Sequence, residues 1–388
     1  MSGSLQVELI DEPERLRAAL AGLGAGDGDP VGIDVERADA ARYHRNAALV
    51  QVGVTGRCVL LDGVRLDDLT ELGAFLADRT VILHALENDL DPLAAKGVYP
   101  EHLADTAVAA AILGLPTGLR ALLDEVLDLA LDGDKSALQR ADWAQRPLTE
   151  EMITYAASDV VYLPALWTQL EQRLATTGRT DWYAQEVTAI RQRSARNTRS
   201  WTRVKGAGRL DPRERARLRA VWEARESLAR DHDIAPNRLA HDEVLRALAT
   251  DPPRTEEELV RRSPRRRTLL RRYAATLLTA LQNAEHVPPE PRESDGRRLT
   301  ERDRSVHDAL RRARTGVAED LGLEAGVLCP SRPLLTALTS DPPSGDALCE
   351  RAGLRPWQRD LLAEPLWEAY LRAREAEEPA DEPADEAG

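Results

Sequence analysis

Five side chains in the first 160 residues of this 388-residue chain have the types and spacing for one piece of chemistry. Asp34 and Glu36 close the run V-G-I-D-V-E. Asp89 ends H-A-L-E-N-D, and Tyr155 and Asp159 lie in Y-A-A-S-D-V. Four carboxylates can hold two divalent cations of the hard kind that prefers oxygen donors. A tyrosine one helical turn before the last acid can orient a water. These are the parts needed to hydrolyse a phosphodiester bond.

The surrounding sequence supplies elements to position them. Val31–Glu36, Ala48–Val54, Arg57–Gly63 and Thr80–Ala85 are short apolar or β-branched runs bounded by loop residues, as strands are. The first three are close enough for hairpins, and Leu66–Asp78 has helical periodicity before the fourth. Asp34 and Glu36, two apart on a strand, point to one sheet face. Tyr155 and Asp159, four apart on a helix starting near Thr149, share one helix face. Each group also has a plainer explanation. The strand acids can be solvated, Asp89 can sit in a first helical turn beside the macrodipole, and Tyr155 can be a core residue. His84 reads as packing at its strand end, and Asp105 as the cap of the helix Ala107–Leu113.

Charge is divided along the chain. The net charge is −14, from 52 basic and 66 acidic residues. Residues 1–190 carry 15 basic and 31 acidic side chains, whereas 191–272 carry 23 and 12. An acidic part that collects cations is followed by a basic part suited to phosphate. The stretch 191–208 has little aliphatic periodicity and reads as a basic linker. It contributes Arg199, Trp201 and Lys205 as expected nucleic-acid contacts, and Arg265 and Arg266 form a later basic cluster. Beyond the linker the patterns are helical. W222-E-A-R-E-S-L-A-R-D followed by Asp251-Pro-Pro is echoed by R311-R-A-R-T-G-V-A-E-D followed by Asp341-Pro-Pro, which implies two copies of one small helical unit. The end, 375–388, has seven acids and no base and reads as disordered. No run is long and apolar enough for a membrane span, and the N-terminus lacks the pattern of a secretory signal. Three cysteines without metal spacing suit a reduced, cytoplasmic protein.

Taken together, Asp-x-Glu on a first strand, His-Ala-x-x-x-Asp after a later one and Tyr-x-x-x-Asp on a helix resemble the 3′–5′ exonuclease superfamily with four acids and a tyrosine. L49-V-Q-V, A104-D-T and D134-K-S…D142-W…R146-P-L-T make the resemblance one to the ribonuclease D family in particular, over residues 5–175. Residues 214–284 resemble its helicase-and-RNase-D C-terminal (HRDC) domain, and 300–372 a divergent second copy. Val35 departs from the small polar residue usual in the family.

The resemblance implies an α/β ribonuclease H-like exonuclease domain, a mixed sheet flanked by helices, followed by two small all-α HRDC-type domains. The expected boundaries are 1–185 for the exonuclease, 186–210 for the linker, 211–287 and 298–374 for the helical domains, and 375–388 for the tail. It implies two Mg²⁺ or Mn²⁺ ions. Asp34 would bridge both, Glu36 and Asp159 would serve the ion at the catalytic water, and Asp89 would serve the other. Tyr155 would hydrogen-bond the water. Lys135, Trp143 and Arg146 match positions in the loop before the tyrosine helix, where they are expected to contact the substrate or, alternatively, to pack the loop. The implied activity is release of nucleoside 5′-monophosphates from the 3′ ends of tRNA precursors or other structured RNA, by a monomer. A DNA exonuclease of the same superfamily and a non-catalytic RNA-binding scaffold are the competing readings.

Overall fold

The computed structural model describes all residues except 1–4, 25, 27, 38–41, 45, 132–136, 195–198, 263–266, 292–299 and 376–388. The expected contacts Lys135, Arg265 and Arg266, and the tail beyond 375, lie outside the described residues. Six strands form one mixed sheet: β1 (Gln6–Ile10), β2 (Val31–Arg37), β3 (Ala47–Val54), β4 (Arg57–Asp62), β5 (Val81–Leu83) and β6 (Leu103–Asp105). Their order is β1-β4-β3-β2-β5-β6. The hairpins β2–β3 and β3–β4 are antiparallel, whereas β1 joins β4, and β5 and β6 extend from β2, in parallel. The acid strand β2 is therefore an inner strand, with hydrogen-bonded neighbours on both sides. Two strands were not legible in sequence. β1 has only one fully buried residue, so its apolar pattern is faint, and β6 has only three residues inside a stretch of helical pattern.

A pair of glycines seats the helix Glu150–Val160 on this sheet. Gly32 of β2 and Gly53 of β3 are register partners. A Cβ at Gly32 would lie 2.4 Å from the Val160 carbonyl oxygen, and one at Gly53 would lie 2.5 Å from Val160 Cγ2. Both are below any tolerated contact, so only glycine admits the helix here. Gly32 precedes Asp34 by two residues on the same face, and Val160 adjoins Asp159. The glycine seat thus brings the helix acid to the strand acids.

By compactness, one unit comprises 1–106, 131–167 and 190–293, and another 107–130, 168–189 and 294–388. This grouping interleaves the chain where the sequence suggested consecutive domains. Among the described residues, the expected linker is largely built structure. The helix Thr180–Ser194 runs through its start, and two short 3₁₀ turns follow at Trp201–Arg203 and Ala207–Arg209. Trp201, Val204, Ala207 and Leu210 enter the core of the first helical repeat. Their spacing of three is the period of 3₁₀ turns, and the intervening arginines hid it.

The two helical repeats share internal geometry, with counterparts 89 positions apart. Asp211 with Glu214 and Thr300 with Asp303 form capping boxes on the long helices Pro212–Asp231 and Glu301–Leu321. Arg225 donates to the Ala240 carbonyl at 2.9 Å, as Arg314 does to Cys329 at 2.6 Å. Arg262 reaches the Asp251 carbonyl as Arg351 reaches Ser340. Thr255 and Ser344 cap equivalent helices. In the second unit, Trp357 stacks on Trp182 at 4.8 Å and donates to Glu186, which also pairs with Arg355. Among the described residues no helix is long and apolar enough to cross a membrane.

Candidate active site

Three of the five predicted residues converge tightly. Asp34 and Glu36 from β2 and Asp159 from the helix Glu150–Val160 bring one carboxylate oxygen each to within 4.8 Å of one another. The helix starts where the sequence suggested, with Thr149 accepting from the Met152 amide at 3.2 Å. Tyr155, nearly buried, shares a side-chain hydrogen bond with Asp159 one turn later. Its ring lies 6.0 Å from that of Trp143.

Asp89 stands outside that group of three yet belongs to the same electrostatic field. It is 3% exposed, and its Oδ2 has no hydrogen-bond partner. It occupies the N-cap position of the short helix Leu90–Ala94 but makes no side-chain capping bond there. Its pKa is raised well above the usual carboxylate range, first by burial and then by the charge of Asp34.

The acids repel one another. Glu36 is pushed from 4.5 to about 9 by burial and then by the charges of Asp34 and Asp159. Asp34 is raised to about 6, mainly by burial. Tyr155 is raised as well, by burial and then by Asp159 and Glu36, so its phenol keeps its proton at neutral pH. Arg37 is the positive group that opposes these shifts at Asp34, Glu36 and Asp89. It follows Glu36 where the β2–β3 register shifts by one residue on β3, and neither the shift nor the arginine's role was legible in sequence. Clustered carboxylates with raised pKa values and oxygen-only donors fit a hard divalent cation.

The segment before Asp89 is held by Asp105. Its carboxylate accepts from the backbone N–H of Leu86 at 2.7 Å and of Ala85 at 3.3 Å. Ala85 has φ +67°, which a non-glycine residue adopts only under constraint. Asp105, which directly precedes the helix Thr106–Leu113, therefore also fixes the turn that presents Asp89. His84 bonds Thr106 through Nδ1 at 2.8 Å, in keeping with a packing role at the strand end.

Several expected substrate contacts are turned inward instead. Trp143 is 1% exposed, and its indole donates to the Leu138 carbonyl at 3.1 Å. Arg146 forms a two-pronged pair with buried Asp62, both bonds at 2.6 Å, and donates to the carbonyls of Ala48 and Trp143. Burial raises the Asp62 pKa, but hydrogen bonds and charge from Arg146 outweigh it and hold the group below its usual value. Trp143 and Arg146 thus spend their polar atoms on the fold rather than offering them to a ligand. Arg146→Ala is expected to destabilise the fold by about 3 kcal/mol, because it strands a buried carboxylate. Chemical denaturation checks this, and Asp62→Asn should recover part of the loss in the double variant.

In the basic region, Trp201 is buried with the Arg215 guanidinium 5.0 Å from its ring centre, so it offers no free stacking face. Its expected role as a nucleic-acid contact is corrected. Arg199 pairs with buried Glu226 at 2.8 Å while its guanidinium lies over Tyr43. Lys205 is exposed. Asp233, in the turn after the first long helix, binds the β2–β3 connection. Its Oδ1 accepts from the Tyr43 and His44 amides, both at 3.1 Å. Asp233 has φ +47°, and its counterpart in the second repeat is Gly322 at φ +66°. An aspartate kept where glycine is the easier residue indicates that its carboxylate is used. Asp233→Gly is expected to ease the backbone yet release this segment. Amide exchange at 42–44 should quicken at least tenfold while the melting temperature stays within a few degrees.

A family model described as a 3′–5′ exonuclease matches residues 7–175, and an HRDC domain model matches 214–281. The chain is 30% identical to a ribonuclease D of Pseudomonas paraeruginosa over 357 residues, 88% of this chain and 92% of the relative. It is 33% identical to one of Sphingobium indicum over 240 residues, 59% of this chain and 61% of the relative. The crystal structure of Escherichia coli RNase D, described as an exoribonuclease involved in structured RNA processing, superposes with a TM-score of 0.76. The identity is 25%, covering 95% of this chain and 99% of that one. A protein from Bifidobacterium adolescentis superposes with a TM-score of 0.72 at 25% identity, over 95% of this chain and all of that one.

Proposed function

This chain belongs to the ribonuclease D family of 3′–5′ exoribonucleases, and from that premise we propose that Asp34, Glu36, Asp89 and Asp159 hold two Mg²⁺ or Mn²⁺ ions at the 3′-terminal phosphodiester of RNA. The observation that carries this reading is the convergence of strand and helix carboxylates on one point, within 4.8 Å. Bound there, divalent cations supply the charge that acidifies an attacking water and stabilises the leaving 3′ oxygen.

The chain's own residues do the rest. Asp34 and Glu36, fixed by an inner strand, give up their protons when cations load, so cation affinity rises with pH through the neutral range. Tyr155 remains protonated and holds the nucleophilic water through its hydroxyl, oriented in turn by Asp159. It acts as an orienter rather than as a base. Asp105 holds the turn behind Asp89, and the glycine seat keeps Asp159 beside β2. The products are nucleoside 5′-monophosphates, released singly.

Structured RNA such as a tRNA precursor is the proposed substrate, and exposed basic residues of the first helical repeat and its approach, Lys205 among them, contact its phosphates. Three buried, unpaired thiols suit a reducing compartment, and we place the enzyme in the cytoplasm as a monomer. RNA and DNA oligomers of one sequence, each with a free 3′ hydroxyl, test the substrate class. Faster loss of the RNA is expected; faster loss of the DNA would overturn the choice.

A further inference from the structure

Strand β3, A-A-L-V-Q-V-G-V, is apolar apart from one polar side chain. Gln51 is fully buried, and neither its Oε1 nor its Nε2 has a hydrogen-bond partner. An amide left unpaired in the interior works against folding, and leucine or methionine would fill nearly the same volume without that penalty. Its place in the sheet explains its retention. Gln51 is the register partner of Asp34 across the β2–β3 hairpin. Partners in an antiparallel pair project from the same face, with Cβ atoms about 4.5–5.5 Å apart. The amide thus stands beside the Asp34 carboxylate, on the face covered by the helix that carries Asp159. Two residues further along β3, Gly53 takes Val160 of that helix.

We propose that Gln51 is a positioning residue for Asp34. When cations occupy the acid cluster, Gln51 Nε2–H donates to an Asp34 carboxylate oxygen and fixes the plane in which that group faces its ions. The inference rests on the cation-binding reading given above. It explains why the amide is unpaired here: its acceptor is a carboxylate whose orientation the cations set. Partners that orient a metal ligand in this way typically change metal affinity ten- to a hundredfold when removed.

The test is calorimetric titration of Mn²⁺ into the full-length wild type, Gln51→Met and Glu36→Gln, with melting curves recorded without cation. Gln51→Met is expected to melt at or above the wild-type temperature, to bind Mn²⁺ about ten- to a hundredfold more weakly, and to lose kcat with KM for RNA unchanged. Wild-type Mn²⁺ affinity in Gln51→Met would overturn the proposal. If the wild type itself binds no Mn²⁺, the cation-binding reading falls first and this one with it. Should Gln51→Met fail to fold, the wild type still decides. With ¹⁵N-labelled glutamine, the Gln51 side-chain amide protons must move downfield on Mg²⁺ addition, and an unmoved resonance contradicts the assignment.

Discussion

Replacing Glu36 with glutamine is expected to abolish RNA hydrolysis while making the cation-free protein more stable at pH 8. Both effects have one origin. Burial and the charges of Asp34 and Asp159 raise Glu36 from 4.5 to about 9, so the folded chain retains a proton that the unfolded chain has lost. Between those two values the folded state binds more protons, and stability must fall as pH rises. The contribution is fully present below pH 4.5 and is lost progressively up to about pH 9. Asp34, raised to about 6, acts in the same direction over a lower window. Glutamine has the same shape and no proton to lose. The melting temperature of wild type should therefore decline from pH 5 to pH 8.5 more steeply than that of Glu36→Gln, with the curves diverging upward in pH. Activity moves oppositely. A cation at such a site supplies several kcal/mol of transition-state stabilisation, and about 4 kcal/mol corresponds to a thousandfold in rate. A loss of kcat of at least about that size is expected at saturating Mg²⁺.

Tyr155→Phe is the second large effect, and it separates water orientation from cation binding. The ring packs near Trp143 and is nearly buried, so phenylalanine keeps the packing and removes only the hydroxyl. That hydroxyl hydrogen-bonds Asp159 and is held protonated by burial and the neighbouring acids. Losing an oriented contact to the nucleophile should lower kcat about a hundredfold, toward the lower end of what a positioned acid–base group contributes. Mn²⁺ affinity should change less than threefold, and KM for RNA should hold. If Tyr155→Phe lost cation binding in parallel with rate, the residue would be shaping the acid cluster instead.

Sequence reading succeeded where the chemistry is local to the chain. Asp-x-Glu on one strand and Tyr-x-x-x-Asp on one helix each encode a shared face, because pleat and helical turn fix which neighbours point together. The strands carrying long apolar runs, β2 to β4, were legible for the same reason. What escaped depends on partners distant in sequence. Gly32 and Gly53 make sense only as register partners under Val160, and Gln51 only as the neighbour of Asp34. Trp143 and Arg146 have residue types suited to a nucleic acid, but Leu138, Asp62 and Ala48 claim their polar atoms. Trp201 was misread because arginines surround a stripe whose period is three rather than two or 3.6. The bond from Asp105 to a turn twenty residues before it had no local signature.

Time-resolved digestion of a 5′-labelled RNA with a free 3′ hydroxyl, in Mg²⁺, by wild type and Asp34→Asn, tests the central assignment most directly. Wild type should shorten the label one nucleotide at a time and release only nucleoside 5′-monophosphates, while Asp34→Asn and metal-free wild type leave the RNA intact. Internal fragments from the wild type, or degradation by Asp34→Asn at the wild-type rate, would contradict the account.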